Sequence, residues 1–517
     1  MTSGVVSPIA HDDESNSSLM QAFWNYESAL MANDVATLDE LFHHDEKTMR
    51  VDHSAVLLGY NAIAEFRARR TQGAPPRTIT AVHVRELSDD TALVLAETCR
   101  RDGARGLQSQ VWLLSDEGWR VIYAHVSAGA ARDATVWRVV GAPLVPPTGN
   151  GTLSGLTVAV KDLFAIEGES IGGGTPTYLA HAHTESEHAV AVATLIHHGA
   201  AITGLAHTDE LAYSLGGTNP HYGTPPNHAA PDRIPGGSSS GPASAVAGGE
   251  VDLGLGTDTA GSIRVPASYQ GLWGFRPTHG DIDTSGVLPL APSFDTVGLL
   301  ARDLATVQAA ADTLLPPGTD DEISTVVVDP ALVSYADPAV AQSFWEALRI
   351  IRRRVRVEYR DVTNGQLEEW FTAFRTLQAF EAWQSHGDFL TEYPEAVAAD
   401  VAARFQHAAT ITDRAADDAR TVIARARDQL NDVVSASDVL LLPATSSAAP
   451  PRSADSAERA RTATLHLTCL ASLSGRPALS APCLTDEGLP VGLSAVGTAH
   501  RDRGLLRFAM QHLTFHI

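Results

Sequence analysis

The chain has 517 residues, with 61 acidic side chains against 37 basic ones, and its formal charge of −24 argues against nucleic acid or an anionic membrane surface as a partner. Its three cysteines, Cys99, Cys469 and Cys483, are too few and too scattered for a disulfide framework or a cysteine zinc site, and they fit a cytoplasmic location. The start MTSGVVSPIAHDDESNS lacks a basic stretch followed by an apolar core, and no apolar run approaches membrane-spanning length, so neither secretion nor membrane insertion is expected.

From Ser18 to Met31, Leu19, Phe23, Tyr26 and Leu30 recur at the spacing of an amphipathic helix, and Ala36 to Phe42 reads as a second. A short strand is expected around Met49 to Leu58 and a helix from Asn61 to Arg70. Four strands follow, Arg77 to Leu87, Thr91 to Arg101, Leu107 to Leu114 and Trp119 to Val126, joined by polar and glycine punctuation. Helices first and an antiparallel sheet afterwards predict a small α+β cone over residues 1–140. This order and the closing GWRVIYAHVSA resemble the SnoaL-like, nuclear-transport-factor-like superfamily, in its AtzH-like branch, which occurs beside amidases. Such cones often enclose a cavity, which His125 or His53 would line; an ordinary core or surface position is the competing account of each. The module is expected to serve dimerisation or gating, and a homodimer is carried as an open reading.

Between Val139 and Ser154, three prolines and three glycines have the composition of a linker, placed at 141–154. Beyond it, over 155–517, Val158 to Val160 reads as a strand, His188 to His198 as helix and Ala201 to Gly204 as the next strand, a βαβ rhythm that predicts an α/β core. Lys161 ends the first of these strands in VAVKD. Only Lys47 and Lys161 are lysines in the whole chain. A desolvated lysine can lose its proton, whereas arginine cannot. The segment Pro235 to Pro266 carries one serine cluster in GGSSSG and a second serine in GTDTAGS, and a lysine with paired serines points to nucleophilic catalysis.

Lys161, Ser238 and Ser262, in those three motifs, resemble the amidase signature family, from about Leu153 to the C-terminus. The resemblance implies an α/β/α core with a large mixed sheet, preceded here by the cone. It implies Ser262 as nucleophile, Ser238 as bridging serine after a cis peptide, and Lys161 as base. It also implies oxyanion donors in the backbone N–H groups of Thr259, Ala260, Gly261 and Ser262, with Leu211, Ala212 and Tyr213 as candidate walls of the acyl pocket, core packing being an equal alternative for these three. Ala260 departs from the glycine of most members and matches the allophanate hydrolase branch. Asp258 and Arg264 flank the nucleophile and read either as a pair that supports it or, preferred here, as a plain structural ion pair. Gly271 to Thr278 and Ser293 to Gly298 also match family patterns, as in indoleacetamide amidases.

Competing motifs carry less. GSSSG satisfies the hydrolase elbow with Ser239 as nucleophile, yet an elbow needs a strand before it, and Pro231 and Pro235 stand there. His181, His183 and His188 lack a recognised metal spacing. No metal or cofactor is expected. About 320–438 the motifs vanish and a variable helical region is expected, with helical spacing from Ile411 to Val434. The expected activity is hydrolysis of a small-molecule amide. Hydrolysis of carbamate, urea or allophanate-type substrates, or service as an amidotransferase subunit, are the alternatives.

Overall fold

The computed structural model describes residues 14–52, 55–68, 77–100, 105–128, 132–318, 322–452, 457–484 and 488–515. Two compact units divide the chain between Arg132 and Asp133. In the first, helices Glu14–Ala32, Val35–Leu41 and Tyr60–Ala68 accompany strands β1 (Met49–Asp52), β2 (Val56–Leu58), β3 (Arg77–Ser88), β4 (Thr91–Arg100), β5 (Arg105–Ser115) and β6 (Gly118–Ala128). The sheet order is β2-β1-β6-β5-β4-β3. The expected single strand from Met49 to Leu58 is two antiparallel strands. Leu19, Phe23 and Tyr26 of the first helix pack with Trp112 and Val121 of the sheet, as their spacing predicts. His125 lies half-buried on β6, in register with Val51 and Ser109, and His53 falls outside the described residues.

The second unit is built on eleven strands: β7 (Trp137–Val145), β8 (Thr157–Lys161), β9 (Ala201–Ala206), β10 (Leu253–Thr257), β11 (Trp273–Arg276), β12 (Val297–Ala301), β13 (Thr325–Val328), β14 (Arg356–Tyr359), β15 (Asp438–Pro443), β16 (Ala478–Leu484) and β17 (Pro490–Val496). Their order is β14-β13-β15-β17-β16-β11-β12-β10-β8-β9-β7. Strand β8 runs parallel to both its neighbours, β9 and β10. A strand so placed is covered on both faces, which is why it reads TVAVK without polar alternation.

Alternate residues of one strand enter different cores. Val326 and Val328 join one apolar cluster and Val327 the other; Val439 and Leu441 separate from Leu440 and Leu442 in the same way. Successive strand side chains point to opposite faces, so the mixed sheet is sandwiched between two helical layers. This is the expected α/β/α core.

Two boundary readings need correction. Residues 141–145, expected in the linker, end strand β7, which pairs antiparallel with β9 from Trp137 opposite Ala206 to Val145 opposite Ile202. An edge strand tolerates proline because one side of its backbone has no ladder to complete. Val136 and Trp137 are buried against Ala206, Ala243 and Val246, so this stretch belongs to the large unit and not to the cone or a linker. The region about 320–438 is not wholly helical either. Helices Pro338–Ile351, Leu367–Glu392, Ala399–Ala408 and Asp413–Val433 are present, but β13 and β14 extend the sheet between them.

Candidate active site

Because β8 and β10 are parallel neighbours, with Leu255 in register with Val160, their C-terminal ends emerge side by side. Ligand crevices in such sheets form outside those ends. Lys161 is the last residue of β8 and Thr257 the last of β10. The Lys161 ammonium nitrogen lies 2.8 Å from Thr257 Oγ1 and 2.8 Å from Ser238 Oγ. Ser238 Oγ is in turn 3.1 Å from Ser262 Oγ. All three predicted residues therefore form one connected chain. Lys161 and Ser238 are fully buried and Ser262 is 3 % exposed.

The loops that carry the serines are fixed through their main chains. Ser239 N donates to Ser262 O, and Ser238 O accepts from Asp209 N and from Thr208 Oγ1 at 3.0 Å. The peptide between Gly237 and Ser238 is cis. A side chain at Gly237 would collide with the Asp209 carboxylate and lie 2.7 Å from Gly217 N, so close approach alone requires glycine there.

Burial pulls the Lys161 pKa down from the ordinary lysine value to about 7, against the attraction of Asp209, Asp295 and Asp258. A pKa there places the change between ammonium and neutral amine close to neutral pH.

Asp258 organises the turn that presents Ser262. Its carboxylate accepts from the N–H groups of Gly261 at 2.9 Å and Ile263 at 3.2 Å, from Arg264 Nη2 at 2.8 Å and from Arg276 Nη1 at 3.2 Å. Burial opposes its charge, but the two guanidinium groups outweigh that and hold its pKa below the usual carboxylate range. The expected pair of Asp258 with Arg264 is thus a buried triad with Arg276.

This geometry narrows the set of backbone N–H groups free to act as the expected oxyanion donors. The Gly261 N–H, expected among them, is already taken by Asp258, whereas those of Thr259, Ala260 and Ser262 make no protein hydrogen bond among the described residues. Gly261 itself has φ of +125°, where only glycine is comfortable. Ala260 does not share that conformation and is accommodated without strain, its methyl group packing in the apolar cluster with Val265 and Leu465.

Of the three expected pocket residues, Ala212 and Tyr213 line the space at Ser262, together with Leu215, Leu290, Gln378 and Arg461. Leu211 does not; it is 1 % exposed and packs into the core. Leu211 and Ala212 both have positive φ, 46° and 60°, which side chains avoid. Such strain needs surrounding structure to hold it, and here Leu211 N donates to Gly173 O.

The remaining readings resolve locally. Ser239 Oγ donates to Thr257 O, and no strand precedes it, so the elbow requirement is not met. His181 contacts Thr177 O, His183 pairs with Glu185, and His188 accepts from Glu167 N, each separately. Thr257, Arg276, Gln378 and Arg461 were not anticipated. Thr257 had a signal, since it ends the strand beside Lys161; the other three reach the site only through tertiary packing.

The sequence model of the family described as Amidase matches residues 146–352 and 394–506. The chain belongs to the amidase signature family. An AtzH-like model matches residues 11–132. Amidase 1 of Arabidopsis thaliana is 34 % identical over 408 residues, covering 72 % of this chain and 96 % of that one. The 2-amino-5-chloromuconic acid deaminase of Comamonas testosteroni is 31 % identical over 447 residues, covering 81 % and 92 %. A solved amidase structure, 31 % identical, superposes with a TM-score of 0.64 over 70 % of this chain and 85 % of its own. This amidase is therefore a hydrolase of C–N bonds with an N-terminal AtzH-like domain. No helix among its described residues is long and apolar enough to cross a membrane.

Proposed function

We propose that the chain hydrolyses a small carboxylic amide to acid plus ammonia or amine through an acyl-enzyme on Ser262. The observation that carries this reading is the chain of contacts from Lys161 through Ser238 to Ser262, at 2.8 and 3.1 Å, ending in a lysine with its pKa brought to about 7. Neutral Lys161 takes the proton of Ser238 as Ser238 takes that of Ser262, and the freed Ser262 oxygen attacks the carbonyl carbon. The negative charge then developing on the carbonyl oxygen is met by the N–H groups of Thr259, Ala260 and Ser262, each such donor being worth roughly 3 to 4 kcal/mol of barrier. Ser238 passes a proton to the leaving nitrogen, which departs as amine. Water activated by the same relay attacks the ester and releases the acid, restoring the Ser262 hydroxyl.

Carbamates, ureas and allophanate-type substrates form the second reading. Ala260 stands beside Ser262 as in the allophanate hydrolase branch, and it lines the space at Ser262. The cytoplasm remains the proposed compartment, on the scarcity of cysteine.

The test is a panel of aryl-acetamides, aliphatic amides, carbamates and allophanate, with amine release followed and the acylated residue located by peptide mass. An adduct on Ser262 that is absent from Ser262→Ala supports the reading. An adduct on Ser239, or turnover retained by Ser262→Ala, overturns it.

A further inference from the structure

The space at Ser262 adjoins a second, larger one. The inner part admits roughly one water-sized group, and it shares Tyr213, Gln378, Arg461 and Leu465 with an outer cavity of about 390 Å³. Three arginines stand on the outer wall, each from a different helix: Arg375 from Leu367–Glu392, Arg404 from Ala399–Ala408 and Arg461 from Ala457–Ser474. Concentrating cationic groups beside a catalytic serine is notable in a chain whose net charge is −24.

Their counter-charges are weak. Asp400 lies 2.8 Å from Arg404 Nη2 and Glu458 lies 3.1 Å from Arg461 Nη1, but these two carboxylate side chains are 65 % and 67 % exposed, where water screens the pairing. Arg375 has no carboxylate partner among the described residues, and its guanidinium carbon sits 5.7 Å from the Phe371 ring centre. Arg461 Nε is buried without a hydrogen-bond partner, a condition that costs free energy until an acceptor arrives. Burial, reinforced by repulsion from Arg404 and Arg375, lowers the Arg461 pKa. Arg404 Nη1 also donates to Tyr213 O at 2.9 Å, which ties this wall to the one that borders Ser262.

A neutral amide would leave Arg375 without an anionic partner and Arg461 Nε without an acceptor. We propose that the substrate is an amide bearing a carboxylate at the end remote from the scissile bond, held in the outer cavity by Arg375, Arg404 and Arg461. The proposal rests on the reading of Ser262 as nucleophile. Residues 353–393, which include Arg375 and Gln378, lie outside the family match, whereas Arg404 and Arg461 lie within it.

The experiment uses ω-amido carboxylates of increasing chain length, each paired with the neutral amide in which an acetyl group replaces the carboxylate. Two readouts are taken: kcat/KM with the full-length protein, and calorimetric binding to Ser262→Ala. The expected result is a preference of about tenfold to a hundredfold for the carboxylate member at the best chain length. Arg461→Met and Arg375→Met should each reduce that ratio several-fold. A ratio near one at every length, a ratio unchanged in both arginine variants, or no binding of any carboxylate to Ser262→Ala overturns the proposal. If carboxylates bind Ser262→Ala in an arginine-dependent way while turnover survives that substitution, the nucleophile reading fails and the anion site stands. Cleavage of the neutral members alone, lost in Ser262→Ala, sinks the anion site and leaves the nucleophile.

Discussion

Replacing Lys161 separates proton transfer from charge. The gap between the ordinary lysine value of 10.5 and about 7, at about 1.4 kcal/mol per pH unit, amounts to about 5 kcal/mol in favour of the neutral amine. On the acid side of neutrality the unprotonated fraction falls about tenfold per pH unit, so kcat/KM near pH 5 should be about a hundredth of its plateau. Stability should respond as well. Between about 7 and 10.5 the unfolded chain holds the Lys161 proton and the folded chain does not, so the unfolded state binds more protons and stability rises with pH across that window. Lys161→Met removes the titrating group and should flatten that rise, by up to about 5 kcal/mol over the whole window. Lys161→Arg keeps a cation but cannot accept a proton. Both variants should lose about 10²- to 10⁴-fold in kcat/KM. The assay is kcat/KM on a non-ionising amide from about pH 5 to 9, with denaturant unfolding of wild type and Lys161→Met followed from about pH 7 to 10. Near-normal turnover by Lys161→Arg, or an acidic limb that persists in the residual activity of Lys161→Met, would refute the assignment of Lys161 as base.

Asp258→Asn leaves Arg264 and Arg276 buried without their carboxylate, and should cost about 3 to 5 kcal/mol in denaturant unfolding; a loss under about 1 kcal/mol would mean the triad does not hold the turn. Because the Asp258 pKa is depressed, its contribution is present above the unfolded carboxylate value and should disappear only in strong acid, as pH falls through the folded value. Ser239→Ala loses one hydrogen bond to Thr257 O and should reduce stability by about 1 kcal/mol while activity persists; an inactive, folded variant would return the elbow reading. A chain beginning at Asp133 should be soluble and melt cooperatively, whereas one beginning at Gly151 lacks β7, uncovers the edge of β9 and should melt lower or aggregate. Equal melting temperatures for the two would show that β7 adds nothing to the sheet.

The three residues proposed to react, which the fold brings into contact, were legible because each sits in a short stretch of chain with unusual composition. Ser238 and Ser262 stand in glycine-rich turns, and Lys161 is conspicuous in a chain that otherwise uses arginine almost everywhere. What stayed hidden depends on neighbours distant in sequence. Prolines and glycines around Pro143 read as a linker because the pattern cannot tell a free segment from an edge strand. Strand β13, only four residues long, offers too little periodicity to stand out among the flanking helices. The capture of the Gly261 N–H by Asp258, and with it the narrower donor set, follows from how the turn folds back on itself. Arg375, Arg404 and Arg461 are far apart along the chain and meet only through helix packing.

The parts of the site are rooted in different elements of the fold. Lys161 and Thr257 hang from adjacent interior strands, and Ser238 and Ser262 from the turns pinned to them, whereas Arg375, Arg404 and Arg461 stand on helices outside the sheet. Helices Leu367–Glu392 and Ala399–Ala408 are therefore separable from the catalytic contacts, whereas helix Ala457–Ser474, which carries Arg461, also holds the Ser262 turn through Thr468. Exchanging helices Leu367–Glu392 and Ala399–Ala408 for those of another family member offers a modular route to a catalyst with altered preference, one that leaves the hydrolytic apparatus unedited.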